Sequence, residues 1–170
     1  AVGDTWGQTW DSAWFRVQAT VPAEWAGQRV FLHFAGVRGA LQAWVNGVPV
    51  VYAEGNHTAV ECEVGAALRP GANLLAVRVW RYCAGSYLED QDMWRLTGLH
   101  REVLLWSAPQ GHLWDWQVAQ EHGDGGVRLH WSADATAGDP GRRVRLSVFA
   151  PGGDLAASGE GALGAAGSLA

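Results

Sequence analysis

Cysteine is scarce: the 170 residues hold two, Cys62 and Cys83. Neither belongs to a Cys-x-x-Cys pair, and no Cys/His spacing suggests zinc. Buried free thiols are the plain reading. A disulfide stays open, because residues distant in sequence can be strand neighbours. Charge is also modest, at 17% of residues with a net of −5. There is no basic footprint of the kind that binds nucleic acid. No apolar run approaches the ~20 residues needed to cross a bilayer. No charged-then-apolar leader opens the chain. It begins on Ala1 rather than Met, which leaves the compartment unassigned, the cytoplasm ranking ahead of secretion. Helical periodicity is missing as well.

What is present has a period of two. Residues 13–21 alternate, with Trp14, Arg16, Gln18 and Thr20 opposite Phe15, Val17, Ala19 and Val21. Residues 22–27 read as a turn with room for one helical turn. Further strands are predicted at 29–35, 41–45, 48–52, 58–64, 73–81 and 99–107. Asn46-Gly47 between apolar runs favours a two-residue type I′ hairpin, in which both central residues take positive φ. A long loop is expected over 82–98. Such short strands with Gly/Pro turns indicate an antiparallel β-sandwich. Pro109-Gln110-Gly111 punctuates the chain, which places domains at 1–108 and 109–170. In the second, strands are predicted at 113–120, 126–133 and 142–150, and Gly123-Asp124-Gly125-Gly126 reads as a hairpin turn rather than a phosphate loop. The Gly/Ala/Ser stretch after residue 159 would pack poorly alone. Tryptophan is abundant, with eleven copies. Most are read as core or interdomain packing.

One stretch does not fit a plain sandwich: Tyr87-Leu88-Glu89-Asp90-Gln91-Asp92-Met93-Trp94, continuing as Arg95-Leu96-Thr97-Gly98-Leu99-His100-Arg101-Glu102-Val103. Its carboxylates tolerate partial burial only when paired with bases, hydrogen-bonded or bound to a cation. Aromatics beside acids suit sugars, which offer apolar ring faces and a rim of hydroxyls. From the residues alone, Asp92 is either such a site or a loop carboxylate paired with Arg95 or Arg101. Glu89 and Asp90 as neighbours on an extended chain face opposite ways. They therefore make a poor retaining-glycosidase pair, which needs carboxyls ~5–5.5 Å apart. His100 reads as a packed histidine, and the other histidines show no ligand spacing.

This segment closely resembles the signature at the end of the N-terminal sugar-binding domain of family-two glycoside hydrolases, most of all the β-galactosidases. Val45-Asn46-Gly47 and the run from Leu68-Arg69-Pro70-Gly71 to Val79 agree with it. The resemblance covers roughly residues 13–118. It implies an all-β fold: a galactose-binding-like jelly-roll sandwich over 1–108, then a partial, truncated immunoglobulin-like sandwich over 109–170. An immunoglobulin-like sandwich takes ~100 residues, more than 109–170 supplies. The implied function is that of a non-catalytic sugar-binding or scaffold region in an enzyme that hydrolyses terminal β-galactosides.

The resemblance also assigns roles. Asp92 would accept a substrate hydroxyl and ligate a monovalent cation, sodium, in the full-length enzyme; a carboxylate is acceptor-only and a hard oxygen ligand. From its place in the sequence, rather than from the resemblance, Trp94 is the tryptophan best placed to stack on the sugar. By the residues themselves Glu89, Asp90 and Arg95 read as ion pairs that hold the loop, and the resemblance adds Arg101, pinning it by a bidentate pair. The fragment itself carries no cofactor. The implied partners are a β-galactoside-type sugar, the catalytic (β/α)8 barrel of the same polypeptide and further copies of the chain, with neither nucleic acid nor membrane. That barrel takes ~250 residues and is absent from this sequence, so the fragment should be inactive by itself. The sequence also lacks the upstream segment that supplies a further polar sugar contact in the family. Two other readings stand beside this one: a free-standing lectin-like carbohydrate-binding module, and the same region of a β-glucuronidase or β-mannosidase.

Overall fold

The structure, a computed structural model, describes residues 6, 8, 11–56, 58–89, 92, 94, 96–123, 125–136, 142–162 and 166–169. It is all-β, with the chain divided into two compact units, Ala1–Ala108 and Pro109–Ala170.

In the first unit, β1 (Ser12–Val21), β3 (Val37–Val45), β4 (Val48–Asn56) and β6 (Gly71–Trp80) form one antiparallel sheet in the order β1-β6-β3-β4. A two-residue strand, β7 (Gly98–Leu99), joins its β3. The opposing sheet is β5 (Val60–Glu63), β2 (Arg29–Phe34) and β8 (Val103–Ala108), in the order β5-β2-β8. The alternation anticipated in the sequence is the reason for this layering. One face of each strand enters a common core of Leu32 and Phe34 from β2, Leu41, Ala43 and Val45 from β3, Leu75, Val77 and Val79 from β6, and Val64. Phe34, Leu41, Val45 and Val79 are fully enclosed. Burial of each such large side chain stabilises by about 1.5–3 kcal/mol. Residues 23–25 make a single 3-10 turn within the expected 22–27 turn.

The Asn46-Gly47 hairpin has φ of 51° and 85°, both positive as a type I′ turn requires. Its stability is tied to a second, buried asparagine. Asn73, 1% exposed, accepts from Asn46 Nδ2 at 2.8 Å and from the Arg69 amide at 2.9 Å. It donates to the carbonyls of Arg69 and Gly71, both at 2.8 Å. The Asn73 carboxamide thereby welds the turn before β6 to the β3–β4 hairpin. Asn73→Ala strands these backbone groups in a dry site, so a loss of about 2–4 kcal/mol is expected. Urea unfolding of the variant checks this; a loss below about 0.5 kcal/mol would mean that water replaces the amide.

Three features depart from the sequence reading. A one-turn helix, α1 (Gly85–Leu88), interrupts the predicted loop. The β3 strand starts four residues earlier than predicted, at Val37, because Arg38 and Gly39 hide the apolar pattern. Tryptophan fills little of the interior: among the described tryptophans only Trp131 is buried, while Trp6 and Trp25 pack against the core as partly buried rings. The physical reason is visible on the outer face of the five-stranded sheet. Trp14 lies 5.1 Å from Trp44, and the Arg78 guanidinium sits 5.8 Å from the Trp14 ring and 4.7 Å from Trp80. These broad rings cover sheet and stack on a cation rather than fill the interior. Both cysteines are free and half-buried, and burial pushes the Cys62 thiol up.

The second unit pairs β9 (Leu113–Gly123), β10 (Gly126–Ala135) and β13 (Ala166–Leu169) in one sheet, and β11 (Arg143–Phe149) with β12 (Leu155–Ala162) in another. β9 and β10 close a hairpin at the predicted turn, with Gly123 opposite Gly126; Asp124 lies outside the described residues. The Gly/Ala/Ser stretch enters strands after all. Gly161 lets the Trp131 indole come so close that a Cβ there would stand 2.7 Å from the ring. Glu160 ion-pairs with Arg145 and, at 3.3 Å, with Arg143. The Arg145 guanidinium above all holds the Glu160 carboxyl below its usual range.

Candidate functional site

The acidic segment leaves the sheet where β6 ends and returns where β7 begins. Both attachments are on the same strand: Trp80 pairs with Ala40, and Gly98 pairs with Arg38. Between them, α1 gives the segment one rigid turn. The amides of Leu88 and Glu89 donate to Ala84 and Gly85 at 3.2 and 2.9 Å. The Ser86 hydroxyl accepts from the Cys83 amide at 3.2 Å. Tyr82 and Tyr87 stack with centroids 6.0 Å apart, and Arg81 lies 5.4 Å from the Tyr82 ring.

Gly39 makes this exit geometry feasible. Its φ is +96°, and a Cβ there would lie 2.0 Å from the Trp80 carbonyl oxygen. Only a residue without a side chain lets β3 run this close to the point where β6 departs.

Beyond α1 the segment presents its chemistry to solvent. Asp92 is exposed and Trp94 is 86% exposed. The Trp94 ring is therefore largely open to solvent. Tyr87 and Leu88 are 62% and 84% exposed. Asp92 forms no ion pair with any described residue. The loop's backbone is nevertheless anchored: Arg38, 4% exposed, donates from Nη1 to the Trp94 carbonyl at 2.9 Å. Arg38, Arg81, Tyr82, Ser86, Leu96 and Thr97 line a pocket of about 50 Å³ beneath the segment. The sequence reading missed Arg38, because a lone arginine beside a glycine reads as a surface residue. Its signal was its position, on what the structure shows to be a central strand.

The residues expected to pin the loop are Glu89, Asp90, Arg95 and Arg101. Asp90 and Arg95 lie outside the described residues. Arg101 does not pair with Glu89 or Asp92 among the described residues; its guanidinium reaches the Ala35 carbonyl at 3.5 Å, with its stem over Gly36. The reason is local: Arg101 precedes β8 and lies beside the β2–β3 corner. The side chain of Glu89 folds back over Gly85, within ordinary contact distance of it. The His100 amide donates to Gly36 at 3.3 Å, which holds the same corner.

Among the described residues of this segment, the exposed Asp92 carboxylate is a hard oxygen donor of the kind a cation takes. Among the described residues no group of three or more His, Cys, Asp or Glu converges anywhere. Asp92 thus fits as one ligand in a shell whose other oxygens come from carbonyls, water or substrate.

Known proteins resemble this chain in sequence and in fold. Residues 6–109 match the family described as glycosyl hydrolases family 2, sugar binding domain. The chain is 42% identical over 99 residues to a β-galactosidase of Priestia megaterium and 45% identical over 107 residues to one of an Arthrobacter species, covering 58% and 62% of this chain. It spans about a tenth of the length of each, 10% in both. Among solved structures it resembles a β-glucuronidase from an uncultured Clostridium species, with a TM-score of 0.78, 20% identity, and coverage of 95% of this chain and 30% of that one. A β-glucuronidase from Ruminococcus gnavus gives a TM-score of 0.75 at 19% identity, with 89% and 28% covered. At such identity these structural likenesses are of fold alone.

Proposed function

The chain belongs to glycosyl hydrolase family 2 through its sugar-binding domain, and from that premise we propose that it is the N-terminal scaffold of a β-galactosidase-like enzyme, with its acidic loop completing the active site. One observation carries the proposal. The segment around Asp92 and Trp94 is exposed although its base is anchored on a central strand through a buried arginine. A fold that merely needed a connection between β6 and β8 would gain nothing from an exposed carboxylate beside an exposed indole. Named relatives at 42–45% identity are β-galactosidases, which supports a galactoside as substrate.

In this reading the chain's residues bind and orient; they do not break the bond. The Asp92 carboxylate accepts a hydrogen bond from a sugar hydroxyl, and the Trp94 indole offers an apolar face to the ring. Sodium, when bound, would supply a fixed positive charge beside the sugar, with Asp92 as one ligand. Residues 109–170 are read as the opening part of an immunoglobulin-like domain. Catalysis belongs to carboxylates elsewhere in the full-length protein.

Two measurements test this. The full-length protein should hydrolyse nitrophenyl β-galactoside in preference to the β-glucuronide and β-mannoside; a preference for either of the others would overturn the substrate assignment. The isolated 170-residue chain should show no turnover of any of them, and turnover abolished by changing Glu89 would refute the division of labour.

A further inference from the structure

Arg38 is a charged side chain held 4% exposed on the central strand β3. Burying a guanidinium costs several kcal/mol, so a fold keeps one inside only where its donors find partners. The sheet itself does not require an arginine here. Ala40, two residues on, is also buried, with only a methyl group. What Arg38 does that no apolar residue could do is hold the loop backbone, through its 2.9 Å hydrogen bond to the Trp94 carbonyl. That carbonyl is two residues beyond Asp92 and belongs to the exposed indole itself. The pocket beneath, about 50 Å³, admits a few water molecules and is too small for a hexose. Through its bond to the Trp94 carbonyl the guanidinium acts on the loop.

We propose that Arg38 is a positioning residue for the substrate loop: its planar, five-donor fork fixes the main chain at Trp94 and so sets where the Asp92 carboxylate and the Trp94 ring meet a β-galactoside. The inference rests on the reading of Asp92 and Trp94 as substrate contacts. Arginine is suited to this task because its donors lie in a rigid plane, whereas a lysine ammonium is a point charge on a flexible stem.

The test uses the full-length protein with Arg38→Met and Arg38→Lys, alongside Asp92→Ala. Three quantities are measured: kcat/KM on nitrophenyl β-galactoside, the Kd for galactose by calorimetry, and the melting temperature. Arg38→Met is expected to lower kcat/KM on the order of 10- to 100-fold and to weaken galactose binding in parallel, the loss of one charge-assisted hydrogen bond that orients the site. Its melting temperature should fall, because one partner of a buried polar contact is removed, so the kinetics are compared on protein shown to be folded. Arg38→Lys should fall between Met and Arg in kcat/KM. A folded Met variant with kcat/KM and galactose Kd within twofold of the parent overturns the inference. Should the Met variant fail to fold, the Lys variant decides: unchanged kinetics overturn the inference, and lowered kcat/KM at an unchanged melting temperature supports it. If Arg38→Met is silent and Asp92→Ala is damaging, only the role of Arg38 falls. If both are silent, the loop is not a substrate contact.

Discussion

Replacing Asp92 by Ala in the full-length protein is expected to cost about 2–4 kcal/mol of transition-state stabilisation, roughly 30- to 1,000-fold in kcat/KM. The melting temperature should hardly move. The two halves of this expectation come from one fact: the Asp92 side chain is exposed and has no ion-pair partner among the described residues. A carboxylate that contributes nothing to the fold can be removed without loss of stability. A carboxylate that accepts a sugar hydroxyl leaves that hydroxyl unmet in the transition state. The rival idea makes Asp92 a structural anchor for a loop arginine, and it predicts the reverse. Under it, Asp92→Ala lowers the melting temperature and leaves the kinetics of the folded enzyme intact. Measured together, kcat/KM and thermal unfolding separate the two, and normal kinetics with reduced stability would end the substrate reading.

Gly39→Ala is expected to be among the most destabilising single changes in the first unit. Its φ of +96° is one that an L-residue rarely adopts, and the added methyl would lie 2.0 Å from the Trp80 carbonyl and 3.0 Å from that of Arg81. Neither oxygen can swing away, because both are main chain. Either β3 or β6 must shift, and the pairing of Ala40 with Trp80 goes with it. Backbone strain and displaced pairing together come to roughly 3–5 kcal/mol, a large share of the 5–15 kcal/mol that holds a typical domain. Denaturant unfolding of Gly39→Ala measures it. A loss under about 1 kcal/mol would show that the junction of β6 and the loop relaxes freely.

These two residues also mark what the sequence makes legible. Asp92 stands in a run of acids between aromatics, a composition that no ordinary strand or turn needs, so it is conspicuous before any coordinates exist. The Asn46-Gly47 hairpin was equally plain, because few residue pairs accept positive φ twice in succession. Gly39 and Arg38 were not visible. A glycine between an arginine and an alanine carries no periodic signal, and its meaning lies in a carbonyl forty-one positions away, at Trp80. Asn73 hid similarly: an isolated polar residue in a β-run reads as solvent-facing until its four hydrogen bonds are seen. β12 was missed because Gly, Ala and Ser lack strand propensity, and only the indole of Trp131 explains why small residues belong there. Tryptophan misled in the opposite direction. Size suggested interior filling, yet the sheet uses its rings as an outer cladding around Arg78. Local chemistry is thus readable from neighbours in sequence, whereas close approach and burial depend on partners that only the fold supplies.

The acidic segment begins and ends on positions of β3 only two residues apart, Ala40 and Arg38. A span pinned so closely at both ends is, mechanically, a cassette. Its length and content can change at little cost to the strands beneath, since closure entropy grows only with the logarithm of loop length. One loop can therefore be exchanged for another while the sandwich stays as it was. The same property makes the segment a practical site for grafting, with Gly39 and Arg38 as the two residues a graft must leave in place.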